Sequence, residues 1–405
     1  MKILILCNKP PYPAFEGGPM AMNSIVTGLL EAGHQVKILS VNSPKYKVGM
    51  EDIPEDYRQR TGIELINVDL RVRPVKAFKN LFSKKSYHVE RFISKDFTAR
   101  LIEVLQADVY DVVQLETLFM APYVETIRQY SKASIVLRAH NVEHLIWERV
   151  AKGTRFFLKR AFIKHLAKTL KNYELNAISQ VDGIAAITRK DAAFFRKYCA
   201  TPTIDIPYGV YPEEFTPRSE IAGKPTFYHI GSMNWMPNEE GIQWFLEDCM
   251  DAVVEKTPDF VFHLAGRHMP EWLRELKNPH VEVVGEVPDA KAFVADHDVA
   301  IVPLLSGSGI RIKIIESMAM GKTVITTHIG AEGILYDEDV NIIIAENKAK
   351  MAEAIRRINE NPSLAETIGK AARQLVEEMY DNRKLITRLL MFYQQIKPTS
   401  KITFI

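Results

Sequence analysis

The segment from Gly307 to Thr327 combines two cations and a carboxylate with a glycine-rich loop. An apolar strand leads into Gly-Ser-Gly, a helix follows, and a glycine stops that helix at Gly321. A loop of small residues before a helix presents free backbone N–H groups and a partial positive charge, which together favour a bound phosphate. Arg311 and Lys313 lie in the first turn of the predicted helix, where the helix dipole disfavours cations. We therefore expect an anion between these two side chains.

The carboxylate of Glu316 extends this prediction from a phosphate to a sugar. Lys313 and Glu316 are three residues apart and share one face of the helix. A sugar hydroxyl can therefore reach the carboxylate beside the phosphates, so the segment predicts a nucleotide-sugar site. An ordinary Lys313–Glu316 pair on the protein surface is the simpler alternative. The glycine loop after a buried strand favours the ligand site, because open α/β sheets bind their ligands at that edge.

A second glycine pair follows the first predicted strand of the chain. Gly17 and Gly18 precede a helix predicted from about Met20 to Ala32, at a sheet edge where backbone can approach a ligand closely. The pair is not a GxGxxG fingerprint, and no GxxxxGK[ST] loop occurs in the sequence. A simple turn and a binding loop explain the pair equally well.

Polar side chains crowd the end of a later predicted strand. His140 can hydrogen-bond a sugar hydroxyl, whereas Asn141 and Glu143 can equally cap the next helix. A zinc site at His140 and His144 is disfavoured, because no further cluster of ligands accompanies them. Glu116 ends a neighbouring strand and is a candidate acceptor contact, with an exposed strand-end carboxylate as the commoner alternative.

Two loops in the second half of the chain complete the candidate site. Gly231 and Ser232 follow the first strand of that half and can approach phosphates, while Trp235 can shape the loop. Gly285 ends another strand, where exposed backbone can pair with the edge of a base. Each loop alone shows ordinary turn chemistry. Together they line one edge of a sheet with the 307–316 loop.

The composition describes a globular protein long enough for roughly two or three domains. The chain has 405 residues, of which 47% are hydrophobic and 25% charged, and its net charge of +2 argues against bulk nucleic-acid binding. The three cysteines show no metal spacing and favour a reducing compartment. The apolar start is too short for a signal peptide, and no apolar run approaches the roughly 20 residues of a bilayer span. We expect a cytoplasmic protein.

Basic residues are concentrated in two stretches. Residues 71–85 contain six basic side chains and no acidic ones, and residues 151–172 contain seven and again none. In the second stretch the cations recur at roughly helical spacing beside Phe156, Phe157 and Phe162. A basic amphipathic helix of this kind suits an anionic membrane surface or a lipid-linked phosphate. A solvated helix face whose apolar side packs on the domain is an equally good interpretation.

Short apolar strands alternate with helical patterns, which predicts parallel sheets with right-handed crossovers. The predicted strands are 2–7, 35–41, 109–115, 134–139 and 183–187 in the first half, and 226–230, 260–265, 281–284, 299–304, 323–327 and 341–345 in the second. Between the two sets, residues 206–217 hold three prolines among twelve residues, which suits an interdomain linker. We predict an α/β fold of two Rossmann-like domains facing across a cleft, with helices from about Lys348 onward closing the chain.

At these residues the sequence resembles the family-4 retaining glycosyltransferases, the glycosyl transferases group 1 with the GT-B fold. The likeness covers nearly the whole chain and depends on the order and spacing of its elements. They are Gly17-Gly18, the segment 33–39, Ala139–Glu143, Ile206–Val210 with Phe215–Pro217, Gly231–Asn238 and Glu316–Gly321. The resemblance implies an acceptor-binding domain at 1–206, a linker at 207–217 and a donor-binding domain at 218–380. It further implies that the helix at 381–405 packs back on the first domain.

The resemblance also assigns roles to residues. Many members carry two glutamates eight residues apart, and here Ser308 stands at the earlier position. Many also have an arginine where this chain has Ser232, a charge that Arg311 and Lys313 can supply from the other loop. We predict as catalytic groups His140, Arg311 and Lys313, as donor contacts Gly17, Gly18, Gly231, Ser232, Gly285, Val287, Ser308, Gly309, Ile310 and Glu316, and on the acceptor side Glu116, Asn141 and Glu143, with no metal ligand.

The implied activity is retaining, metal-independent transfer of a hexosyl unit from a nucleoside diphosphate sugar to a saccharide or lipid-linked acceptor. The resemblance places it in cell-envelope or exopolysaccharide synthesis, without a cofactor and without a nucleic-acid partner. The expected location is the cytoplasm, with peripheral contact at the inner face of an anionic membrane. The alternatives are a catalytically silent nucleotide-sugar-binding protein, and an epimerase or phosphorylase of the same fold.

Overall fold

The computed structural model describes residues 1–73, 80, 83, 85–217, 220–221, 223–307 and 309–398. The chain divides into two compact units, one formed by Met1–Tyr208 together with the chain from Leu385 onward, and one formed by Gly209–Lys384. Each unit is built around its own parallel sheet, because every strand pairing in both sheets is parallel.

The first unit contains a seven-stranded sheet in the order β3-β2-β1-β4-β5-β6-β7. Its strands are β1 (Lys2–Cys7), β2 (Gln35–Asn42), β3 (Glu64–Asn67), β4 (Val112–Glu116), β5 (Ser134–Ala139), β6 (Gly183–Ala186) and β7 (Thr203–Asp205). Its α-helices are Gly17–Glu31, Glu55–Thr61, Tyr87–Glu90, Lys95–Ala107, Val124–Tyr130, Glu143–Gly153, Phe157–Ala177 and Arg189–Tyr198, and most of Asn382–Gln395. The strand order reverses between β1 and β4, where sheets of this kind bind ligands.

Alternating side chains of the first strands explain why both faces of this sheet are covered. Leu4 and Leu6 of β1 belong to one apolar cluster, and Ile3 and Ile5 belong to another on the opposite face. The last helix supplies Leu389 and its neighbours to the second cluster. Burying such a side chain stabilises the folded state by about 1.5–3 kcal/mol, so the centre of the sheet holds the residues at its edge in place.

The second unit contains a six-stranded sheet in the order β10-β9-β8-β11-β12-β13. Its strands are β8 (Phe227–Ile230), β9 (Phe262–Ala265), β10 (Val281–Gly285), β11 (Val299–Val302), β12 (Thr323–Thr326) and β13 (Ile343–Ile344). Its α-helices are Met236–Trp244, Met250–Lys256, Glu271–Arg274, Ala290–Ala295, Ile312–Ala319, Lys348–Glu360 and Pro362–Met379, with a π-helical turn at Phe245–Cys249. Here the strand order reverses between β8 and β11.

The predicted fold class of two doubly wound parallel sheets is confirmed, with local corrections. The third strand prediction began at Val109, but β4 begins at Val112, and Val109 is 88% exposed. The short edge strands β3 and β7 were not predicted, because neither has a buried residue that would give it an apolar run. The segment expected to be irregular at 206–217 includes a 3-10 turn at Pro212–Glu214.

Candidate functional site

The helix after β1 begins earlier than the sequence predicted. It spans Gly17–Glu31, so Gly17 and Gly18 form its first turn rather than a loop before it. Proline is tolerated this early in a helix, and Pro19 needs no N–H partner there. The first N–H groups of a helix have no intrahelical acceptor, so both glycines present backbone donors at this edge of the sheet. Lys9 lies beside them, and its ammonium group pairs with Glu16 at 3.0 Å.

Glu116 and His140 meet at the carboxyl ends of β4 and β5. The His140 Nε2 lies 2.6 Å from Glu116 Oε2, and the Arg138 guanidinium lies 3.5 Å from the same oxygen. Strand register places Glu116 directly opposite Arg138. Both side chains are fully buried, so the predicted alternative of an exposed strand-end carboxylate is wrong. Burial here is tolerated because the charges are opposite and hydrogen-bonded.

The charges of this cluster fix the tautomer of His140. Burial raises the pKa of Glu116, but Arg138 and the His140 hydrogen bond outweigh burial and hold that pKa below its usual value. An ionised carboxylate only accepts hydrogen bonds, so His140 Nε2 carries the proton. Burial lowers the pKa of His140 more than Glu116 raises it. The ring is therefore neutral at pH 7, and its Nδ1 is an acceptor suited to a hydroxyl group.

A chain of hydrogen bonds connects this cluster to the last helix of the unit. The Tyr393 hydroxyl donates to Gln114, and the Gln114 amide donates to Glu116 Oε1 at 2.6 Å. Sequence reasoning missed both residues, because Gln114 lies within a buried strand and Tyr393 is more than 200 positions away along the chain. This series of hydrogen bonds holds Oε1 of Glu116, while His140 holds Oε2.

The helix after β5 is capped from outside its own sequence. Glu174 accepts hydrogen bonds from the backbone N–H groups of Glu143 at 2.9 Å and His144 at 3.2 Å. The alternative of capping by Asn141 or Glu143 is therefore wrong, because a carboxylate from the next helix occupies that position. Burial, and then the charge of Glu174, raise the pKa of Glu143 to about 8. Glu143 is thus protonated and able to donate at neutral pH.

The two histidines considered for zinc contact different carboxylates. His144 Nδ1 lies 2.5 Å from Glu174 Oε2, whereas His140 pairs with Glu116. Within the described parts of the chain, no group of three or more histidine, cysteine, aspartate or glutamate side chains is arranged to hold a metal ion.

Three strands of the second unit end in glycines that lie side by side. The Gly231 N–H donates to Ala265 O at 3.1 Å, and the Gly266 N–H donates to Gly285 O at 2.7 Å. A Cβ atom on Gly266 would lie 1.7 Å from the Gly231 carbonyl oxygen, so only glycine fits there. This row leaves backbone, rather than side chains, facing the sheet edge. Two of its members, Gly231 and Gly285, were predicted as donor contacts.

Lys313 extends its ammonium group across this row rather than toward Glu316. Its Nζ donates to Asn238 Oδ1 at 2.9 Å and to His229 Nε2 at 3.3 Å. A Cβ atom on Gly231 would lie 2.4 Å from that Nζ. Burial, and then the charge of Arg311, lower the pKa of Lys313 to about 7. The simple surface pair of Lys313 and Glu316 is therefore not what the structure contains.

Arg311 is the residue just before the helix Ile312–Ala319, and its side chain is buried. The guanidinium donates to Gly309 O at 2.6 Å and lies 5.3 Å from the centre of the Trp235 ring. Gly307, with φ of 115°, leaves space for it, since a Cβ there would lie 2.8 Å from Arg311 Nη2. The cation is thus held in place by the loop that was predicted to bind phosphate.

The remaining described donor predictions lie in the loops that follow β8, β10 and β11. Gly309 and Ile310 are half-buried beside Arg311, and Val287 is half-buried after β10. The Ser232 hydroxyl donates to Asn234 Oδ1 at 2.8 Å, and its carbonyl accepts from Asn238. Ser308 lies outside the described residues.

Glu316 lies one turn into the same helix and is half-buried. Among the described side chains it has no hydrogen bond or ion pair, although Lys291 is close enough to act on it electrostatically. Burial raises the pKa of Glu316 to about 7. A half-buried carboxylate of this kind is available to accept hydroxyl groups.

Comparisons with known proteins identify the family and the fold that this chain resembles. Residues 224–361 match the family described as glycosyl transferases group 1. Over 398 residues, 96% of this chain and 98% of its relative, the sequence is 22% identical to an uncharacterized 44.6 kDa protein in the cps region of Klebsiella pneumoniae. Over 204 residues, 48% of this chain and 54% of the relative, it is 26% identical to a phosphatidyl-myo-inositol mannosyltransferase of Mycobacterium leprae.

The solved structure of HepE from Anabaena in complex with UDP superimposes with a TM-score of 0.69 at 14% identity, covering 97% of this chain and 100% of HepE. The fold is therefore that of the GT-B glycosyltransferases. With the family match over the second unit, the predicted resemblance to group 1 glycosyl transferases is confirmed. The family match supports glycosyl transfer from a nucleotide sugar. None of the helices in the described ranges has the length and apolarity that a bilayer span requires.

Proposed function

We propose that the protein transfers a hexosyl unit from a nucleoside diphosphate sugar to an acceptor hydroxyl, with retention of the anomeric configuration. The observation that carries this proposal is the convergence of Arg311 and Lys313 on the glycine-lined edge of the second sheet. Two cations held together at the start of a helix repel each other, and a bound diphosphate relieves that repulsion. Glu316 on the same helix accepts the ribose hydroxyls.

The proposed reaction breaks the bond between the anomeric carbon and the diphosphate oxygen, and the bonding electrons leave with the diphosphate. The acceptor oxygen attacks the anomeric carbon from the same face, and its proton passes to the departing phosphate oxygen. Arg311, Lys313 and the helix start stabilise the negative charge that develops on the leaving group. This charge stabilisation is our reason for proposing a reaction that is independent of metal ions and cofactors.

The first unit contributes groups that suit a sugar and a phosphate. We assign the free N–H groups of Gly17 and Gly18 to the diphosphate and the Nδ1 acceptor of neutral His140 to a hydroxyl of the donor sugar. Glu116 positions His140 through the 2.6 Å hydrogen bond. Protonated Glu143 and the Asn141 amide are assigned to the acceptor side.

The relatives suggest the classes of donor and acceptor. HepE binds UDP, which supports a uridine diphosphate sugar as the first donor to try. The relative from the cps region supports a role in exopolysaccharide or cell-envelope synthesis. The mannosyltransferase acts on a phosphatidyl-myo-inositol, which supports a lipid-linked saccharide as an acceptor beside free saccharides. We propose that the transfer takes place in the cytoplasm.

The test begins with thermal shifts for a panel of nucleoside diphosphates and their sugars. A ligand that binds the native state raises the melting temperature, and we expect one base to do so. Transfer is then measured as diphosphate release with and without saccharide acceptors, in the presence of EDTA, and the anomeric configuration is read by NMR. Arg311→Ala should lower the transfer rate by about 10²–10³-fold, the usual loss when one charge-stabilising donor is removed.

Arg357→Ala is the matched control, because Arg357 lies in the same unit but pairs on the surface with Asp339 at 3.1 Å. It should leave transfer unchanged. No stabilisation by any diphosphate, or equal rates for both variants, would contradict the assignment of the site. Binding without turnover on any acceptor would indicate a silent nucleotide-sugar-binding protein, and loss of transfer in EDTA would refute metal independence.

A further inference from the structure

The helical hairpin formed by Glu143–Gly153 and Phe157–Ala177 ends in an exposed apolar tip. Phe156, Phe157 and Leu158 are 60%, 70% and 58% exposed. All positions from 155 to 161 are exposed, so this part of the hairpin extends beyond the packed body of the first unit. Contiguous apolar side chains of this size on a protein surface usually mark an interaction site.

The tip is surrounded by cations. The stretch 151–172 holds seven basic residues and no acidic ones. Arg160, Lys164 and Lys168 are spaced four residues apart and are all exposed, so they form one charged stripe that leads away from the tip. Like charges at this spacing repel each other and destabilise a helix. An anionic surface would remove that repulsion.

Only part of this helix has an apolar side that packs on its own unit. Ile163, Leu166 and Leu170 are buried and account for the amphipathic pattern of the helix body. Phe162 is partly buried and packs against Leu166. The solvated-face interpretation therefore explains the helix from Phe162 onward, but it leaves the three apolar side chains of the tip unexplained.

We propose that the hairpin tip inserts into the headgroup region of an anionic lipid bilayer. Phe156, Phe157 and Leu158 would enter the acyl boundary, and the basic stripe would contact lipid phosphates. A protein partner fits less well, because lysine is depleted from the buried centres of protein–protein interfaces. The inference concerns a surface of the first unit, whereas Arg311 belongs to the second, and it is independent of the proposed reaction.

The hairpin also connects this surface to the predicted acceptor side. Its first helix starts at Glu143, at the carboxyl edge of the first sheet, and runs 11 residues toward the tip. At 1.5 Å per residue the tip lies roughly 16 Å from that edge. Docking at the tip would hold the edge close to a bilayer, where the saccharide of a lipid-linked acceptor is found.

Vesicle flotation of the full chain tests the proposal. Vesicles of equimolar phosphatidylglycerol and phosphatidylcholine should bind the protein at low salt, and binding should weaken at high salt. Pure phosphatidylcholine should bind it much less. The triple variant Phe156→Ser/Phe157→Ser/Leu158→Ser should lower the partition coefficient at least about 10-fold, since it removes most of the inserted apolar area.

Charge is tested with Lys159→Gln/Lys164→Gln/Lys168→Gln, which removes two cations of the stripe and the exposed Lys159 at the tip. This variant should also reduce binding at least about 10-fold. The control is Lys348→Gln/Lys350→Gln/Lys370→Gln, which removes as many exposed charges from the second unit and should bind like the wild type. All variants change exposed side chains, so their melting temperatures should match that of the wild type.

Insertion itself is read with Phe157→Trp and vesicles that contain brominated lipid. Quenching beyond that of the wild-type tryptophans would place residue 157 within the bilayer. Absence of binding to anionic vesicles at low salt, or equal binding by the tip variant, would overturn the proposal. A dimer that forms without vesicles and is lost in the tip variant would instead identify a second copy of the chain as the occupant. Thermal shifts with nucleoside diphosphates should be the same in the tip variant and the wild type, which would show that the loss of vesicle binding does not come from damage to the donor site.

Discussion

The carboxyl edges of the two sheets differ in how their buried charges are paired. In the first unit, Glu116 neutralises Arg138 and accepts from His140, so the charges of this cluster are completed in pairs without a ligand. In the second unit, Arg311 and Lys313 repel each other, and the Lys313 contacts are with neutral groups. Both edges occupy equivalent places, because both sheets reverse their strand order there.

The pKa shifts express this difference. In the first unit the pKa of Glu116 lies below its usual value despite burial, because its partners outweigh burial. In the second unit the pKa of Lys313 falls to about 7 and that of Glu316 rises to about 7, because burial dominates both. Strongly shifted groups with no compensating partner are typical of binding sites. The charged groups of the first edge are thus already paired, whereas those of the second edge would gain most from the proposed ligand.

The largest expected effect is the loss of stability when the completed cluster is broken. Glu116→Gln leaves the buried Arg138 guanidinium without a counter-charge, and two of its nitrogens, Nε and Nη2, already have no hydrogen-bond partner among the described residues. We expect a loss of about 3–5 kcal/mol in the free energy of unfolding. Chemical denaturation measures it.

Two further variants control this prediction. Glu103→Gln removes a carboxylate that pairs with Arg100 on the surface and should cost no more than about 1 kcal/mol. Glu116→Leu combined with Arg138→Met replaces the whole pair by apolar groups and should recover much of the stability. If Glu116→Gln cost no more than Glu103→Gln, the first edge would not be the completed cluster described above.

The second expected effect is a gain, rather than a loss, in the free energy of unfolding. The pKa of Lys313 is about 7 in the folded protein but roughly 10.4 in an unfolded chain. Between these values the unfolded state binds more protons, so this lysine costs stability at pH 7 and its cost disappears as the pH rises toward 10. Lys313→Met should therefore stabilise the ligand-free protein at pH 7 by on the order of 1 kcal/mol or more.

Urea unfolding of wild type and Lys313→Met between pH 7 and pH 10 checks this sign. The advantage of the variant should shrink with rising pH, and its binding of nucleotide sugars should be weakened throughout. A variant less stable than the wild type at pH 7 would mean that the hydrogen bonds to Asn238 and His229 outweigh the burial of the ammonium group.

The central strands were predictable from sequence for a physical reason. β1 and β5 are covered on both faces, so nearly all their residues are buried and most of them are apolar. The edge strand β3 reads Glu-Leu-Ile-Asn and has no buried residue. Its formation depends on pairing with β2, which is a long-range contact that local sequence does not encode.

Long-range contacts also separate the parts of the site that sequence predicted from those that it did not. Arg311 and Lys313 were found because cations at a helix start contradict a local rule. Asn238, the partner of Lys313, lies 75 positions away, and Glu174 caps a helix that begins 31 positions before it. The burial of Glu116 depends on Arg138 facing it across strand register. Sequence identified chemical groups, and only the fold determined their partners.

The smallest expected effect is a pH dependence of nucleotide-sugar affinity, to which Lys313 and Glu316 of the second edge contribute separately. Binding of a nucleotide sugar favours protonated Lys313, so affinity should fall as the pH rises above about 7. The same ligand donates its ribose hydroxyls to ionised Glu316, so affinity should also fall as the pH drops below about 7. A nucleotide sugar is the right probe, because its diphosphate has no terminal phosphate to titrate in this range. We expect affinity to be greatest near pH 7.

Each limb of that profile should disappear with one substitution. Glu316→Gln should remove the acidic limb and lower affinity about 10-fold or less at pH 8, the usual range for one hydrogen bond to a charged group. Lys313→Gln should remove the basic limb and flatten the profile above pH 7. Calorimetric titration from pH 5.5 to 8.5, a range of about 1.5 units on either side of the two pKa values, resolves both limbs. If Glu316→Gln left the acidic limb in place, proton uptake by a group other than Glu316 would cause it, and the carboxylate would not contact the ribose.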